Sequence, residues 1–306
     1  MPAHIAHQTT ARIERTAGSD TLRAQVRRRV WAWLTGCVGS VVVILGLWAF
    51  WIEPASLTVS ERALSLPWPG ERPLRVAVLT DLHVGSPFNG MAKLHSTVDR
   101  TNAAKPDVIC ILGDLVIQGV LGGRFVPPEE IAAELARLRA AAGVVAVLGN
   151  HDGWLDHDRV RHAVETAGIR VIEDTAIRLN TPAGAVWVAG LSDLWTGRPD
   201  LGAALAAVAD NDTPVLLLTH NPDVFPSVPE RVTLTLAGHT HGGQVRLPFV
   251  GALIVPSRFG QRFAAGHVVE GGRHLFVATG VGTSILPVRF RVPPTVTVLT
   301  LGHPES

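Results

Sequence analysis

Sulfur is scarce in this 306-residue sequence: its two cysteines, Cys37 and Cys110, can build neither a disulfide framework nor a cysteine-based zinc site. Tyrosine is absent, and lysine occurs only at positions 93 and 105. Neither sign of charge prevails: 27 basic and 26 acidic residues leave a net charge of +1, so no basic field points to nucleic acid. At 47% hydrophobic and 17% charged the chain is too apolar for disorder and too charged to cross a membrane many times. What remains is one sizeable globular domain with an appendage.

Long apolar runs are also few, and one dominates. Residues 30–52 read VWAWLTGCVGSVVVILGLWAFWI, without a charge. As a helix this run is roughly 34 Å long, enough to cross a hydrocarbon core of about 30 Å. Trp31 and Trp33 at one end, and Trp48 and Trp51 at the other, sit where an aromatic belt belongs. Arg12, Arg15, Arg23 and Arg27 to Arg29 precede the run, against Glu14 and Asp20, whereas the first charges after it are Glu53, Glu61 and Arg62. The positive-inside bias then places the N-terminus in the cytoplasm and everything after Glu53 outside. A cleaved signal peptide is the competing reading, but no Ala-x-Ala step follows, so an uncleaved anchor is expected. The paired arginines also match a twin-arginine export signal loosely. Residues 1–29, with His4 and His7, read as a basic mobile tail. Residues 53–73, with Pro54, Pro67, Pro69 and Pro73, read as a linker.

From residue 74 onward short apolar runs alternate with amphipathic stretches. Buried strands are expected at 74–80, 107–112, 144–148, 186–190, 214–219 and 232–237, and helices at 91–103, 128–142, 157–167 and 200–209. From 244 to 301 the pattern is strand-only, with turn signals at 270–272 and 293–294. Alternation followed by a β-rich end predicts an α/β sandwich with a mixed sheet.

Five of the six strands run straight into metal-competent side chains. These are Asp81 and His83, Asp114, Asn150 with His151 and Asp152, His220, and His239 with His241. Ligands of open α/β sheets bind outside the carboxyl ends of the strands, so the five loops should converge on one crevice. Asp81 and His83 are two apart, as are His239 and His241; in extended chain each pair points the same way. Gly113, Gly149 and Gly238 precede these residues and are expected to let the backbone turn beside the ions. The set Asp81, His83, Asp114, Asn150, His220, His239 and His241 offers oxygen and imidazole nitrogen but no sulfur. That suits Mn²⁺, Fe or Zn²⁺ and disfavours Ca²⁺. Seven ligands exceed one tetrahedral ion and suit two ions about 3.5–4 Å apart that share a carboxylate.

The ordered motifs DLH, GD, GNHD, TH and GHTHGGQ resemble the calcineurin-like metallophosphoesterase superfamily. The stretches at 238–253 and 280–294 resemble its membrane-linked YkuE/YaeI-like subgroup, which is close to hydrolases of UDP-2,3-diacylglucosamine. The resemblance covers residues 74–301, about three quarters of the chain. It implies a four-layer α/β/β/α sandwich. It also implies one metal on Asp81, His83, Asp114 and His241, and a second on Asp114, Asn150, His220 and His239, with Asp114 bridging. His151 would bind the phosphoryl group and act as general acid, for which a pKa near ~6.5 or above is suitable. Many relatives carry an aspartate shortly after the Gly-Asp motif to orient that histidine. Here Ile117 and Gln118 stand in that segment, which leaves Asp152 as the candidate partner.

The expected chemistry is dinuclear-metal-dependent phosphoester hydrolysis, Mn²⁺ favoured, by attack of a metal-held hydroxide. Two loops flank the site with apolar residues and isolated arginines. One carries Val116, Ile117, Val120, Leu121, Phe125 and Arg124; the other runs from 246 to 262, with Leu247, Phe249, Leu253, Ile254 and Phe259. They suit an amphipathic or envelope-linked phosphodiester or pyrophosphate, although simple packing on the sheet explains them equally. Arg289 and the glycine-rich 280–284 are further candidates for phosphate contact. A phosphomonoesterase or phosphoprotein phosphatase, or a membrane-tethered phosphate-binding protein without turnover, are the alternatives. His95, His157, His162, His267, His274 and His303 fall outside the cluster.

Overall fold

A computed structural model describes residues 3–70 and 72–302, with side chains in the first helix from residue 23 and then 25 onward. The side chains of His4, His7, Arg12 and Arg15, and the whole of His303, therefore lie outside the described residues.

Two compact units divide the chain between Trp48 and Ala49. The first is a helix, α1 (Ala3–Leu47), with Trp48; the rest of a π-helical turn at Trp48–Ile52 and a short α2 (Glu53–Ala55) open the second. The stretch Gln25–Ala55 reaches a mean hydropathy of 2.0, long and apolar enough to cross a membrane. The stretch expected as an irregular tail is thus helical from Ala3. Residues 1–29 contain no proline after Pro2 and several strong helix formers, so nothing in them stops the helix of 30–52 from extending backward.

The second unit runs through β1 (Thr58–Ser65), β2 (Leu74–Leu79), α3 (Met91–Ala103), β3 (Val108–Leu112), α4 (Pro128–Leu135), β4 (Val144–Val147), α5 (Asn150–Thr166) and β5 (Arg170–Val171). It continues with β6 (Thr175–Thr181), β7 (Gly184–Gly190), α6 (Leu201–Ala206), β8 (Val215–Leu218) and β9 (Leu234–Ala237). The small hairpin β10 (Arg246–Leu247) and β11 (Gly251–Ala252) follows, then β12 (Gly266–Glu270), β13 (Arg273–Val277) and β14 (Thr295–Gly302).

Two six-stranded sheets result, ordered β1-β14-β2-β3-β4-β5 and β12-β13-β9-β8-β7-β6. Pairing is parallel from β2 to β5 and from β13 through β9 and β8 to β7, with antiparallel pairs β14–β2, β12–β13 and β6–β7. The parallel strands bury both faces, which explains their unbroken apolar runs. Val76, Val78, Cys110 and Leu112 of the first sheet pack against Val186, Val188, Leu216 and Leu236 of the second. Ala77, Leu79, Ile109 and Ile111, on the reverse face, pack under Leu94, Ile131 and Val160 of α3, α4 and α5. Trp187, Leu217 and Val277 face Ala204 and Phe225 on the outside of the second sheet. The layers are α/β/β/α, as the resemblance implies.

One expectation fails outright. Residues 53–73 are not a free linker, because β1 adds to the edge of the first sheet, parallel to β14, from Thr58↔Thr295 to Ser65↔Gly302. Its sequence TVSERALS is polar because most of an edge strand's side chains stay wet; only Leu64 is buried within it. Helix boundaries shift as well. α4 ends at Leu135 so that the chain can return to β3 through Ala142 N–H donating to Asp107 O at 2.7 Å. α5 begins at Asn150 rather than 157, with a kink at Asp156.

Candidate metal centre

The carboxyl ends of β2, β3, β4, β8 and β9 meet as the sequence reading requires, and all seven predicted ligands are buried there. Three groups place ligand atoms within 4.8 Å of one another, two of them made wholly of predicted ligands: Asp81, His83 and His241; Asp114, His220 and His239; and, with His151 added, His83, Asp114 and His151. Asp114 belongs to two of these groups through one atom. Its Oδ2 lies 3.5 Å from His83 Nε2 and 3.2 Å from His220 Nε2. Its Oδ1 accepts the His151 backbone N–H at 2.8 Å.

The tautomers follow from the second ring nitrogen. His83 Nδ1 lies 3.1 Å from Val116 O, and His220 Nδ1 lies 2.6 Å from Leu112 O. A carbonyl only accepts, so each Nδ1 carries a proton and each Nε2 is the atom left facing inward to ligate. The inward Nε2 of His83 meets His241 Nε2 at 3.1 Å, and that of His220 meets Asn150 Oδ1 at 3.1 Å and His239 Nδ1 at 3.2 Å. Asp81 Oδ1 lies 3.4 Å from His241 Nε2. Carboxylate oxygens and imidazole nitrogens crowded this closely need positive charge between them, so the donor set fits divalent cations. His239 Nε2 is a buried nitrogen with no hydrogen-bond partner among the described residues.

The ionisation of these groups says the same. Burial opposes charge on Asp114, yet His220 beside it holds its carboxyl well below the ordinary value. Burial likewise opposes charge on His220, but the Asp114 carboxylate, with Asp81 and Asp193, lifts it to about 10, so a proton on its Nε2 supplies the positive charge that a cation would replace. Burial pushes Asp81 up to about 7 and His83 and His239 down to about 3, leaving those imidazoles neutral and free to ligate.

The backbone reaches this arrangement at a cost. Asp81, His83, Asp114, His239 and His241 all have positive φ, between 38° and 69°. Such conformations cost about 1–3 kcal/mol each outside glycine and cluster at functional sites. Gly113, with φ of 86°, turns the chain beside Asp114 as expected; Gly149 and Gly238 instead allow close approach, and the other ligands make their turns themselves. A Cβ on Gly149 would meet Asp114 Oδ1 at 2.3 Å, and one on Gly238 would meet Thr80 Oγ1 at 1.9 Å.

Three other expectations are corrected. Asp152 does not orient His151: its carboxylate accepts backbone N–H groups of Asp114, Gly149, Leu115 and Val116 at 2.8–3.3 Å. His151 is held by packing, edge-on to His83 at 4.6 Å and tilted against Trp154 at 5.0 Å. Its Nδ1 is buried without a partner among the described residues. Burial lowers its pKa from the ordinary value, against opposing pulls from Asp114 and Asp193, rather than leaving it at or above that value. Arg289 is fully buried and gives its guanidinium to the carbonyls of Gly282, Val292 and Thr279, so it braces the loop behind His241 and meets no phosphate.

Two residues escaped the sequence reading. Trp154 and Trp195, both half exposed, stack at 6.0 Å and 30°, and Trp195 sets its edge on His239 at 4.3 Å. Their proximity in sequence to Asn150–Asp152 and to Asp193 was the available signal. The flanking loops divide. Val116, Ile117 and Val120 pack into the domain, whereas Leu121, Phe125, Phe249 and Ile254 are exposed. Of the other histidines, His95, His157, His267 and His274 pair with groups away from the centre.

Residues 74–243 match the family model described as calcineurin-like phosphoesterase. The chain is 30% identical over 259 residues to the uncharacterized metallophosphoesterase YkuE of Bacillus subtilis, covering 83% of this chain and 88% of that protein. It is 31% identical over 253 residues to the phosphodiesterase YaeI of Escherichia coli, covering 81% and 90% respectively. A 26% identical protein of Danio rerio, named transmembrane protein with metallophosphoesterase domain, matches 74% of this chain and 53% of its own length.

Proposed function

This chain belongs to the calcineurin-like phosphoesterase family, and on that premise we propose that it is a dinuclear phosphodiesterase or pyrophosphatase acting on an amphipathic, envelope-linked phosphate. That it is a metal-dependent phosphoester hydrolase follows from the family. The observation that supports two ions rather than one is the position of Asp114 Oδ2, turned toward His83 on one side and His220 on the other.

Asp81, His83, Asp114 and His241 would hold one divalent cation, and Asp114, Asn150, His220 and His239 the other, with Mn²⁺ favoured. When bound, such ions lower the pKa of water to roughly 7 and offset charge on the phosphoryl oxygens. The chain's own part is positional. Asp114 and the two histidines whose Nδ1 is fixed on a carbonyl set the spacing of the ligands, and their burial excludes competing water. His151, within reach of both Asp114 and His83, takes the general-acid role and gives its proton to the leaving oxygen. Its lowered pKa leaves the imidazole mostly neutral near neutrality, so only its protonated fraction serves as the acid and the rate should fall as pH rises.

The amphipathic substrate rests on the exposed apolar side chains of the loops that follow Asp114 and His241, with Phe249 and Ile254 fully or largely solvent-facing. A UDP-2,3-diacylglucosamine-type precursor is one such molecule. The apolar helix Gln25–Ala55, with arginines ahead of it, supports a single-pass anchor with the domain outside the cytoplasm. A nucleotide-linked precursor would be cytoplasmic, so the two finer readings exclude each other.

The full chain in nonionic detergent, loaded with Mn²⁺, should cleave bis(p-nitrophenyl) phosphate faster than p-nitrophenyl phosphate, and Asp114→Asn should lose at least ~100-fold of that rate. Preference for the monoester would replace this reading with a phosphomonoesterase. Metal binding without turnover of either ester would leave a phosphate-binding protein. Cleavage of the UDP-linked diacyl sugar far above both esters would confirm the lipid pyrophosphatase and place the domain in the cytoplasm. A reporter fused at the C-terminus checks the side independently.

A further inference from the structure

At one edge of the sandwich a groove of about 560 Å³ opens between the two sheets. Its first wall is one face of β1 and of the start of β14, and its second is β12 and β13 with the first residue of β10. We propose that this groove is a second oxyanion site, built to bind a phosphate group of an extended phosphorylated ligand.

Two independent observations carry the assignment. The first is the character of the wall. Residues 58, 60, 62, 64 and 66 share a face of the β1 segment, as 295, 297, 299 and 301 share one of β14, by the two-residue repeat of a strand. At one end that face is core: Leu64, Leu66, Leu299 and Leu301 pack between the sheets. At the other end the same face becomes Thr58, Ser60 and Arg62 beside Thr295 and Thr297, and it lines the groove. A sandwich interior whose apolar alternation gives way to hydroxyls departs from the pattern that folding favours, which is where a functional constraint is expected.

The second is charge. Arg62, Arg246 and Arg291 line the groove with His267, and among the described residues no aspartate or glutamate lines it. None of these three guanidiniums has an ion pair or side-chain hydrogen bond among the described residues. Elsewhere the domain's arginines are commonly paired: Arg137 with Asp99, Arg159 with Glu129, Arg161 with Glu173 and Arg262 with Glu270. Guanidinium forks beside rows of hydroxyl donors match the geometry of phosphate oxygens.

The groove lies at the same end of both sheets as the metal centre. Thr297 pairs with Val78, three residues before Asp81, and Val277 pairs with Ala237, two before His239. Thr279 and Val292 line the groove and also crowd Gly242, the neighbour of His241. The ligand's phosphate is therefore either a distal group of the hydrolysed substrate or an anion held apart from it.

The test reads binding without turnover, so it stands or falls apart from the hydrolase reading. The full chain in nonionic detergent is stripped of metal with a chelator, dialysed, and titrated calorimetrically with tripolyphosphate at about physiological salt. Wild type should bind. The triple variant Arg62→Gln, Arg246→Gln, Arg291→Gln should bind at least tenfold more weakly, the triple Arg→Lys variant in between, and Arg170→Gln, on the far edge strand β5, like wild type. Because Arg62 and Arg291 are exposed and Arg246 half-buried, the variants keep their fold, and unchanged melting verifies it. No binding by wild type, or equal binding by the Gln triple variant, overturns the site. With metal restored, thymidine 3′-phosphate 5′-(p-nitrophenyl phosphate) is compared with the ester lacking the 3′-phosphate. A KM raised in the Gln triple variant for the first ester only assigns the groove to the substrate. KM unmoved for both, with tripolyphosphate binding lost, assigns it to a separate anion.

Discussion

Asp152 is bound to Asp114, not to the histidine beside it: its Oδ2 accepts the Asp114 backbone N–H at 2.8 Å while also taking that of Gly149 at 3.0 Å. One buried carboxylate thereby ties the loop after β3 to the start of α5 and sets the position of the oxygen shared between the two ligand groups.

Asp152→Asn puts an amide N–H₂ against backbone N–H donors and leaves one of them unpaired, a loss of about 1–3 kcal/mol. Metal affinity should fall roughly 10–100-fold, as for lost second-layer contacts in other metal sites. Calorimetric Mn²⁺ titration reads this directly. A variant with unchanged affinity and only a lowered kcat would instead make Asp152 a partner of His151.

Gly238→Ala should be damaging although its side chain is a single methyl. That carbon would sit 1.9 Å from Thr80 Oγ1 and 2.7 Å from Asp81 Oδ2, and Thr80 itself donates to Asp81 at 2.9 Å. Overpacking of this kind costs about 1–3 kcal/mol. Urea unfolding and Mn²⁺ affinity should both weaken, since Asp81 must move.

Trp154→Ala and Trp195→Ala remove half-exposed rings and should change stability by less than ~1 kcal/mol. They should raise KM for an ester with an aromatic leaving group by roughly 2–10-fold, the worth of an aromatic contact of about 0.5–1.5 kcal/mol. An ester with a methyl leaving group should show no such rise. Equal changes for the two esters would remove the tryptophans from substrate contact.

Lys93 supplies a pH dependence away from the metal centre. Burial, helped by the nearby Arg289, lowers it from 10.5 to about 7, and its Nζ donates to Pro54 O at 2.6 Å. Between these values the unfolded chain binds more protons than the folded one, so stability rises with pH across that window; below about 7 the burial penalty is present in full. Wild type should gain on the order of 4 kcal/mol relative to Lys93→Met between the two ends. Denaturant titrations at pH 6 and pH 10 measure it, and parallel pH curves for the two proteins would contradict the shift.

The metal centre was legible in the sequence because its parts stand at strand ends, where the fold class dictates convergence. His220 illustrates this: alone it is an ordinary strand-end histidine, and only the company of four other loops gives it a role. The conformations of those residues were not legible. Nothing in DLH announces that Asp81 and His83 turn left-handed, because tertiary contacts impose that strain. β1 was hidden for a different reason, since an edge strand buries so few side chains that its composition looks like a linker's. Asp152 misled through adjacency: in a helix N-terminus, successive side chains diverge, and the neighbour of His151 points to a different loop.

Strand β14 lies between β1 and β2, so the first sheet joins Thr58 to Thr295 across 237 positions of chain. No earlier strand can take its place, and pairing of such distant segments is slow. Until its last strand has been synthesised the domain has two open edges facing each other and no closed first sheet. A chain released from the ribosome in stages must therefore stay unclosed for most of its synthesis. Loss of residues 295–302 would cost the protein its fold rather than its tail.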